Sequence, residues 1–569
     1  MRKSAARLLS CLFLLTLAGC TANPLFAWTG EDDLSGQLYG LFQLAGNPLR
    51  PQPRTARYSP VDNAGVNPFG INVFLEQEVE AEKRAQTLQM VAAAGFHWIR
   101  QEFPWEDIEI HGRGDFVDRR NDLDGDGQAD AVDAWAKYDQ IVALAEEYGL
   151  EIIARLSNPP AWSRADGNER GTYAPPDDLA DYGNYVHAVA TRYRGRIRYY
   201  QVWNEPNIYP EWGEQPVDPA AYTELLCLAY RRIKEADPQA VVISGALAQT
   251  IELSGRDLND LIFLQRMYDA GAADCFDVLA VNAYLLWSGP TDRRLQPLYV
   301  NYSRPLYLRD IMVANGDAHK PIWISEMNAN AVPNDPAIRG LGNYGQVTLE
   351  QQARYAPLAY QRAMEEWPWV GVVNFWFFKR ASDAERDQSW YYFRMAEPDF
   401  TPMPVYESMR AYIASVTPTL YPGVHQESHW ALAYEGEWET VGDERAVLGA
   451  FRRARAGAAV AFLFEGQQLV LDPGPVQGAI EVTVDGGQPR RIVLDGQPVR
   501  LYSGWRTARH RVRVVVREGS AGIDSLTVRR PDGGRWALLG LGLLLLGGLV
   551  YAARRQRRSA GRPSPTRRA

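Results

Sequence analysis

Two glutamates stand where chemistry is expected. Glu205 lies in Trp203-Asn204-Glu205-Pro206-Asn207, and Glu326 lies in Ile324-Ser325-Glu326-Met327-Asn328. Each closes a short run of strand character, so each carboxyl is presented at the end of a strand. One carboxylic acid that gives up a proton, beside a second carboxylate that attacks or activates water, is the apparatus for hydrolysing a glycosidic bond. Either residue alone reads as a solvated charge at a strand end. The pair, in matching positions, points to catalysis.

A second acidic run suggests different chemistry. Asp122, Asp124, Asp126, Gln128 and Asp130, with Asp133 in twelfth place and Gly127 in sixth, have the oxygen spacing of an EF-hand-type calcium loop. The run departs from that pattern in having Asp at the twelfth position and no evident helix before it. An acidic turn that is merely solvated is the alternative. Any calcium here is expected to be structural, and no cofactor is expected for catalysis.

The elements that must carry the two glutamates follow from the alternation of strand and helix patterns beginning near residue 66. Strand character appears at 69–74, 96–103, 150–158, 197–205, 241–248, 277–284, 321–329 and 370–378, each run rich in β-branched or aromatic residues. An amphipathic helical stretch follows each one. In AWAKYDQIVALAEEYG, for example, Ile141, Leu144 and Ala145 form an apolar stripe that Gly149 ends. Eight such units over 66–416 predict an α/β chain folded as a (β/α)8 TIM barrel, with Glu205 ending strand four and Glu326 ending strand seven. An open doubly wound sheet is the alternative, but it calls for a Gly-rich phosphate loop after the first strand, and none is present.

With those strand positions assigned, the sequence resembles clan A of the glycoside hydrolases. The run Tyr200-Gln201-Val202-Trp203-Asn204-Glu205-Pro206-Asn207 is most similar to family 39, the β-xylosidase and α-L-iduronidase group. The resemblance implies that Glu205 is the general acid/base and Glu326 the nucleophile of a retaining hydrolase, β-xylosidase- or β-glucanase-like. It also implies that Asn204 bonds the sugar 2-hydroxyl, that Tyr284 orients Glu326, and that Arg100 holds Glu326 ionised. Trp376 matches the tryptophan of strand eight and is the expected sugar platform, with Trp105 and Trp162 as lesser aromatic candidates. The sequence departs from the family at Asn282, where a histidine is usual. An amide donates a hydrogen bond but does not titrate near neutrality. The rival reading is a non-catalytic carbohydrate-binding or scaffold protein on a hydrolase-like barrel.

After VTPTLYPG (416–423), the pattern over 425–530 becomes short strands between turns, which predicts a β-sandwich accessory module. The two ends bear on location. Residues 1–20 place Arg2, Lys3 and Arg7 before an apolar run, as in a secretory signal, and Leu17-Ala18-Gly19-Cys20 resembles a lipobox; cleavage after Ala22 is the alternative. Residues 536–553 are apolar and long enough to span a bilayer, and the tail 554–569 is arginine-rich, so a transmembrane helix with a cytoplasmic tail is expected. A sorting tail removed after export is the alternative. Together the ends predict a bacterial surface protein, membrane-anchored, with its barrel outside the cytoplasm and carbohydrate as its partner.

The formal net charge is −9, and setting aside the positive residues of the leader and tail leaves about −19. Nucleic acid is therefore excluded as a partner. Outside the leader the cysteines are Cys227 and Cys275, which read either as a disulfide or as two buried thiols.

Overall fold

The computed structural model describes residues 26–31, 34–122 and 125–530. The leader 1–20, the apolar segment 536–553, the tail 554–569 and Asp124 lie outside the described residues. Among the described residues, no helix is long and apolar enough to cross a membrane. The chain divides into two compact units. The smaller includes the helix Leu34–Ala45 and Asp292–Leu295, and the larger comprises Pro53–Thr291 and Gln296–Arg529.

The larger unit opens with eight parallel strands: β1 (Phe69–Val73), β2 (Trp98–Pro104), β3 (Glu151–Ser157), β4 (Tyr199–Val202), β5 (Val241–Ile243), β6 (Leu279–Asn282), β7 (Ile322–Met327) and β8 (Val370–Phe375). They pair in the order β5-β4-β3-β2-β1-β8-β7-β6. Parallel bridges from Ile243 to Val278 and from Leu247 to Val281 close the ring, as the eight-unit pattern predicts. The strands are apolar because helices cover their outer faces. These helices are α1 (Ala81–Ala93), α2 (Ala136–Glu147), α3 (Leu179–Arg192), α4 (Pro219–Ala236), α5 (Asp260–Asp269), α6 (Pro305–Ala314), α7 (Leu349–Glu366) and α8 (Pro404–Ser415).

Local chemistry accounts for the helix ends. Asp218 caps α4 by accepting from the N–H groups of Ala220 and Ala221, and Pro219 occupies the first turn, where its missing N–H costs nothing. Thr348 and Gln351 form a reciprocal capping box at the start of α7. Gly149 ends α2 at φ 67°, in the left-handed region that favours glycine. The Cys227 and Cys275 sulfurs are bonded to each other, joining α4 to the turn before β6.

The N-terminal end of the barrel is plugged by Trp98, Tyr199 and Trp323, whose rings lie 5.0 to 5.4 Å apart. Their neighbours Ile153, Val241, Ala280 and Val372 are also buried. One layer up the same strands turn polar side chains inward: Asn72, Arg100, Gln201 and Ser325. The apolar plug thus supports a polar floor at the C-terminal face, where barrel enzymes place their chemistry.

Beyond α8 the chain forms an antiparallel β domain around a single apolar core that includes Phe451, Phe464, Leu471, Ile480, Val514 and Leu526. The expected two sheets are linked by the 25-residue strand Val499–Ile523, which pairs with Ala459–Asp472 and Gly478–Val484 and also with Ala450–Arg455. The strands therefore form one hydrogen-bonded path.

Candidate active site

Glu326 is aimed by an irregularity in β7. Along β6, Val281 and Asn282 are consecutive, yet they pair with Ile324 and Glu326, which are not. Against β8, Ile324 and Met327 pair with Val373 and Phe375. The extra residue is a β-bulge, which breaks the alternation of side chains. Ser325 and Glu326 can therefore both serve the barrel interior.

In that position Glu326 is 2% exposed. Its Oε1 accepts from Arg100 Nη1 at 3.0 Å, and its Oε2 accepts from Tyr284 Oη at 2.5 Å and from Asn282 Nδ2 at 3.2 Å. A buried carboxylate needs this degree of compensation to remain charged. Arg100 is held by its other nitrogens: Nε donates to Gln201 Oε1 at 2.6 Å, Nη1 to Asn72 Oδ1 at 2.8 Å and Nη2 to Asn204 Oδ1 at 2.7 Å. Burial pulls its pKa down, and the charge of Glu326 opposes the shift.

Glu205 follows β4, where the chain leaves strand geometry. Trp203 has φ 76° and Glu205 φ 33°, both in the region that disfavours side chains with a Cβ, so the turn is strained. The strain is held by Trp203, whose N–H donates to the Leu156 carbonyl and whose indole donates to the Glu211 carbonyl. Glu205 is half-buried, and its Oε1 accepts from Asn282 Nδ2 at 2.6 Å. Burial, followed by the like charges of Glu326 and Glu211, raises its pKa well above the usual carboxylate range, against the hydrogen bond from Asn282. One carboxyl is therefore biased toward its acid form beside another that accepts from a guanidinium, a phenol and an amide.

The structure brings Glu205, Glu326, Asn204, Arg100, Tyr284 and Asn282 into this one network. Trp376 stands at its edge, half-buried, with its ring edge-on to Phe74 at 5.5 Å and packed against the cluster of Tyr284, Phe377 and Phe393. Trp105 is fully buried and stacked on Tyr185 at 5.4 Å. Trp162 packs edge-on against Trp105 and donates to the Glu109 carbonyl, so both of these rings brace loops.

The acidic run is not gathered as expected. Asp122 Oδ1 accepts from the Gly125 N–H at 2.7 Å and its Oδ2 from the Gly127 N–H at 2.8 Å, so the turn closes around Asp122. Asp126 accepts from the Gln128 N–H, and the Asp130 N–H donates to the Asn121 carbonyl. Asp133 lies apart, on a two-residue strand paired with Val117–Asp118. Its carboxylate accepts from the Trp135 N–H and lies 3.8 Å from Arg192 Nη2. Arg192 is bonded mainly to Asp139, its Nε donating to Oδ1 at 2.8 Å, so its contact with Asp133 is the weaker one. Among the described residues, no three acidic, His or Cys side chains are grouped to hold a metal.

Several residues of the site were not anticipated. Glu102 and Arg155 form a buried ion pair beside the network, on β2 and β3. Their strand parity is the signal: Glu102 lies two residues after Arg100 and faces the same way. Glu211 accepts from Asn204 Nδ2 at 3.2 Å, and burial pushes its pKa up to about 7. It lies in the loop after β4, where no periodicity points to it.

No protein-family model and no curated protein sequence matches this chain. Solved structures with a similar fold include a family 39 glycoside hydrolase from Bacteroides cellulosilyticus, at 17% identity over 81% of this chain and 82% of that one, with TM-score 0.47. A GH39 β-xylosidase from Caulobacter crescentus is similar at 16% identity, covering 82% and 97%, with TM-score 0.42. A glucosidase from Croceicoccus marinus is similar at 13% identity, covering 81% and 98%, with TM-score 0.44. Identity at this level leaves the chemistry to the geometry of the site itself.

Proposed function

We propose that this chain is a retaining glycoside hydrolase acting on β-linked poly- or oligosaccharides, with Glu205 as acid/base and Glu326 as nucleophile. The observation that carries this reading is that one nitrogen, Asn282 Nδ2, is bonded to both carboxylates, at 2.6 and 3.2 Å. Laid end to end, those bonds limit the Oε1 to Oε2 distance to about 6 Å, below the roughly 6.5 Å at which inverting enzymes begin and near the 5–5.5 Å of retaining ones.

In the first step, a Glu326 oxygen forms a bond to the anomeric carbon while the bond from that carbon to the leaving oxygen breaks. The leaving oxygen takes the proton of Glu205. Glu326 is now an ester without charge, so the repulsion that kept Glu205 protonated is gone and Glu205 serves as a base. In the second step, Glu205 takes a proton from water, the water oxygen bonds to the anomeric carbon, and the ester bond breaks to release Glu326 as carboxylate. In this reading Asn204 donates to the sugar 2-hydroxyl, as the resemblance implies, a contact that tightens in the transition state.

The leader 1–20 and the apolar segment 536–553, with arginines following it, support anchoring in a bacterial membrane with the barrel outside the cytoplasm. The turn around Asp122 supports a structural calcium loop drawing on Asp122, Asp124, Asp126, Gln128, Asp130 and Asp133.

The direct test is Glu326→Ala assayed on xylan, β-glucan and aryl β-glycosides. Turnover should fall by about 10⁴-fold or more, and azide should partly restore it with formation of an α-glycosyl azide. A variant as active as the parent removes Glu326 from the reaction, and a wild-type chain inert on every glycoside favours a binding role for the barrel.

A further inference from the structure

Glu211 is costly to place where it is. Its carboxyl is half-buried, and after burial the charges of Glu326 and Glu102 oppose its ionisation while that of Arg155 favours it. Arg155, whose charge favours that of Glu211, is shared with Glu102, to which it is directly paired. Among the described residues the Glu211 carboxyl has one hydrogen bond, from Asn204 Nδ2 to Oε2 at 3.2 Å, and Oε1 has none.

Holding Asn204 in place does not explain this cost. Arg100 Nη2 already donates to Asn204 Oδ1 at 2.7 Å, which settles which end of the amide faces which way. The position of Glu211 is nevertheless tightly built. Its carbonyl accepts from the Trp203 indole at 2.7 Å, and it bridges to Gly213. Tyr344, also half-buried, lies close enough to Glu205, Glu326 and Glu211 that their charges, after burial, push its pKa up to about 12. Glu211 bonds Asn204, Asn204 and Glu326 share Arg100, and Glu205 and Glu326 share Asn282, so the three carboxyls belong to one hydrogen-bonded network.

The amide nitrogen of Asn204 keeps a second hydrogen, and Glu211 keeps a free oxygen. The free N–H of Asn204 and the free Oε1 of Glu211 lie on side chains bonded to each other, a donor beside an acceptor, which suits neighbouring hydroxyls on a pyranose when one accepts and the other donates. We propose that Asn204 and Glu211 form a clamp for a vicinal diol, in which Asn204 donates to the sugar 2-hydroxyl and Glu211 accepts from the 3-hydroxyl, so that Glu211 selects sugars with a free hydroxyl at that carbon. This inference rests on the glycosidase reading and extends it to the sugar class: 3-deoxy and 3-O-substituted residues are poor occupants of the cleaved position.

The test is a cycle between enzyme and substrate. The purified chain and its Glu211→Gln variant are compared on 4-nitrophenyl β-D-xyloside or β-D-glucoside, whichever is turned over, and on the matching 3-deoxy glycoside. For the wild type, removing the 3-hydroxyl should lower kcat/KM by roughly 10- to 100-fold, the range for a hydrogen bond to a charged group. Glu211→Gln should lose a similar factor on the parent glycoside and almost none on the 3-deoxy one. A structural role predicts equal losses on both substrates, and that result overturns the clamp. Glu211→Asp, which keeps the charge but is shorter, should retain part of the discrimination; full discrimination in both variants also overturns the clamp. A wild type that cleaves no glycoside defeats the hydrolase reading and the clamp together, whereas cleavage with equal losses defeats the clamp alone.

Discussion

Glu205 and Glu326 share one hydrogen-bond donor, the side-chain nitrogen of Asn282, at 2.6 and 3.2 Å. An amide at this point is a neutral spacer between two acids. It supports the anionic form of both without gaining or losing a proton itself.

The first prediction concerns pH. Glu205 must be protonated to begin the reaction, so kcat/KM should fall as pH rises through its raised pKa. The Asn282 bond favours the ionised form and holds that pKa down. Asn282→Ala should therefore move the alkaline limb to higher pH, while kcat falls because Glu326 also loses a donor. A pH profile of kcat/KM for the two proteins checks this; an unchanged limb would detach Asn282 from the titration of Glu205.

Stability should carry a related signature. Burial, aided by the charge of Glu102, pushes Glu76 up to about 7. Between its unfolded value near 4.5 and about 7, the folded chain holds a proton that the unfolded chain releases, so this group's contribution to stability is lost as pH rises through that window. Glu76→Gln, which can still accept from Gln101, should flatten the fall in Tm between pH 5 and 8 by about 2 °C or more. Parallel melting curves for the two proteins would refute the assignment.

Calcium binding at the turn around Asp122 predicts that EDTA lowers the Tm of the purified protein and that added calcium restores it. Asp133→Asn, which removes the charge at the twelfth position, should shrink that difference. Insensitivity to EDTA, with no calcium bound, would leave a solvated turn.

Anchoring at both ends predicts that protease added to intact cells cuts the barrel while a tag fused after Ala569 stays protected. A released, tag-free protein would point to a processed tail.

Much of the barrel was legible because strands covered by helices read as short apolar runs; each expected run holds a strand, but several strands end early, β4 at Val202 where 205 is expected and β5 at Ile243 where 248 is expected. Which way Glu326 points was not legible. Trp98, Arg100 and Glu102 keep a period of two along β2, but in β7 the bulge after Ile324 breaks it, and pairing register leaves no trace in composition. Partners distant in sequence were equally hidden: Arg192 on α3 engages Asp133, and Glu211 reaches Asn204 from a loop. The length of the strand Val499–Ile523 was also hidden, because Gly519, at φ 65°, has the character of a turn residue although strand pairing continues past it.

The most direct measurement is the configuration of the first-formed product from a β-linked substrate, followed by proton NMR before the anomers equilibrate. Two carboxylate oxygens within about 6 Å leave no room for a water between Glu326 and the anomeric carbon, so the account predicts the β anomer first, by way of a glycosyl-enzyme. The α anomer appearing first would contradict double displacement and the nucleophilic role of Glu326.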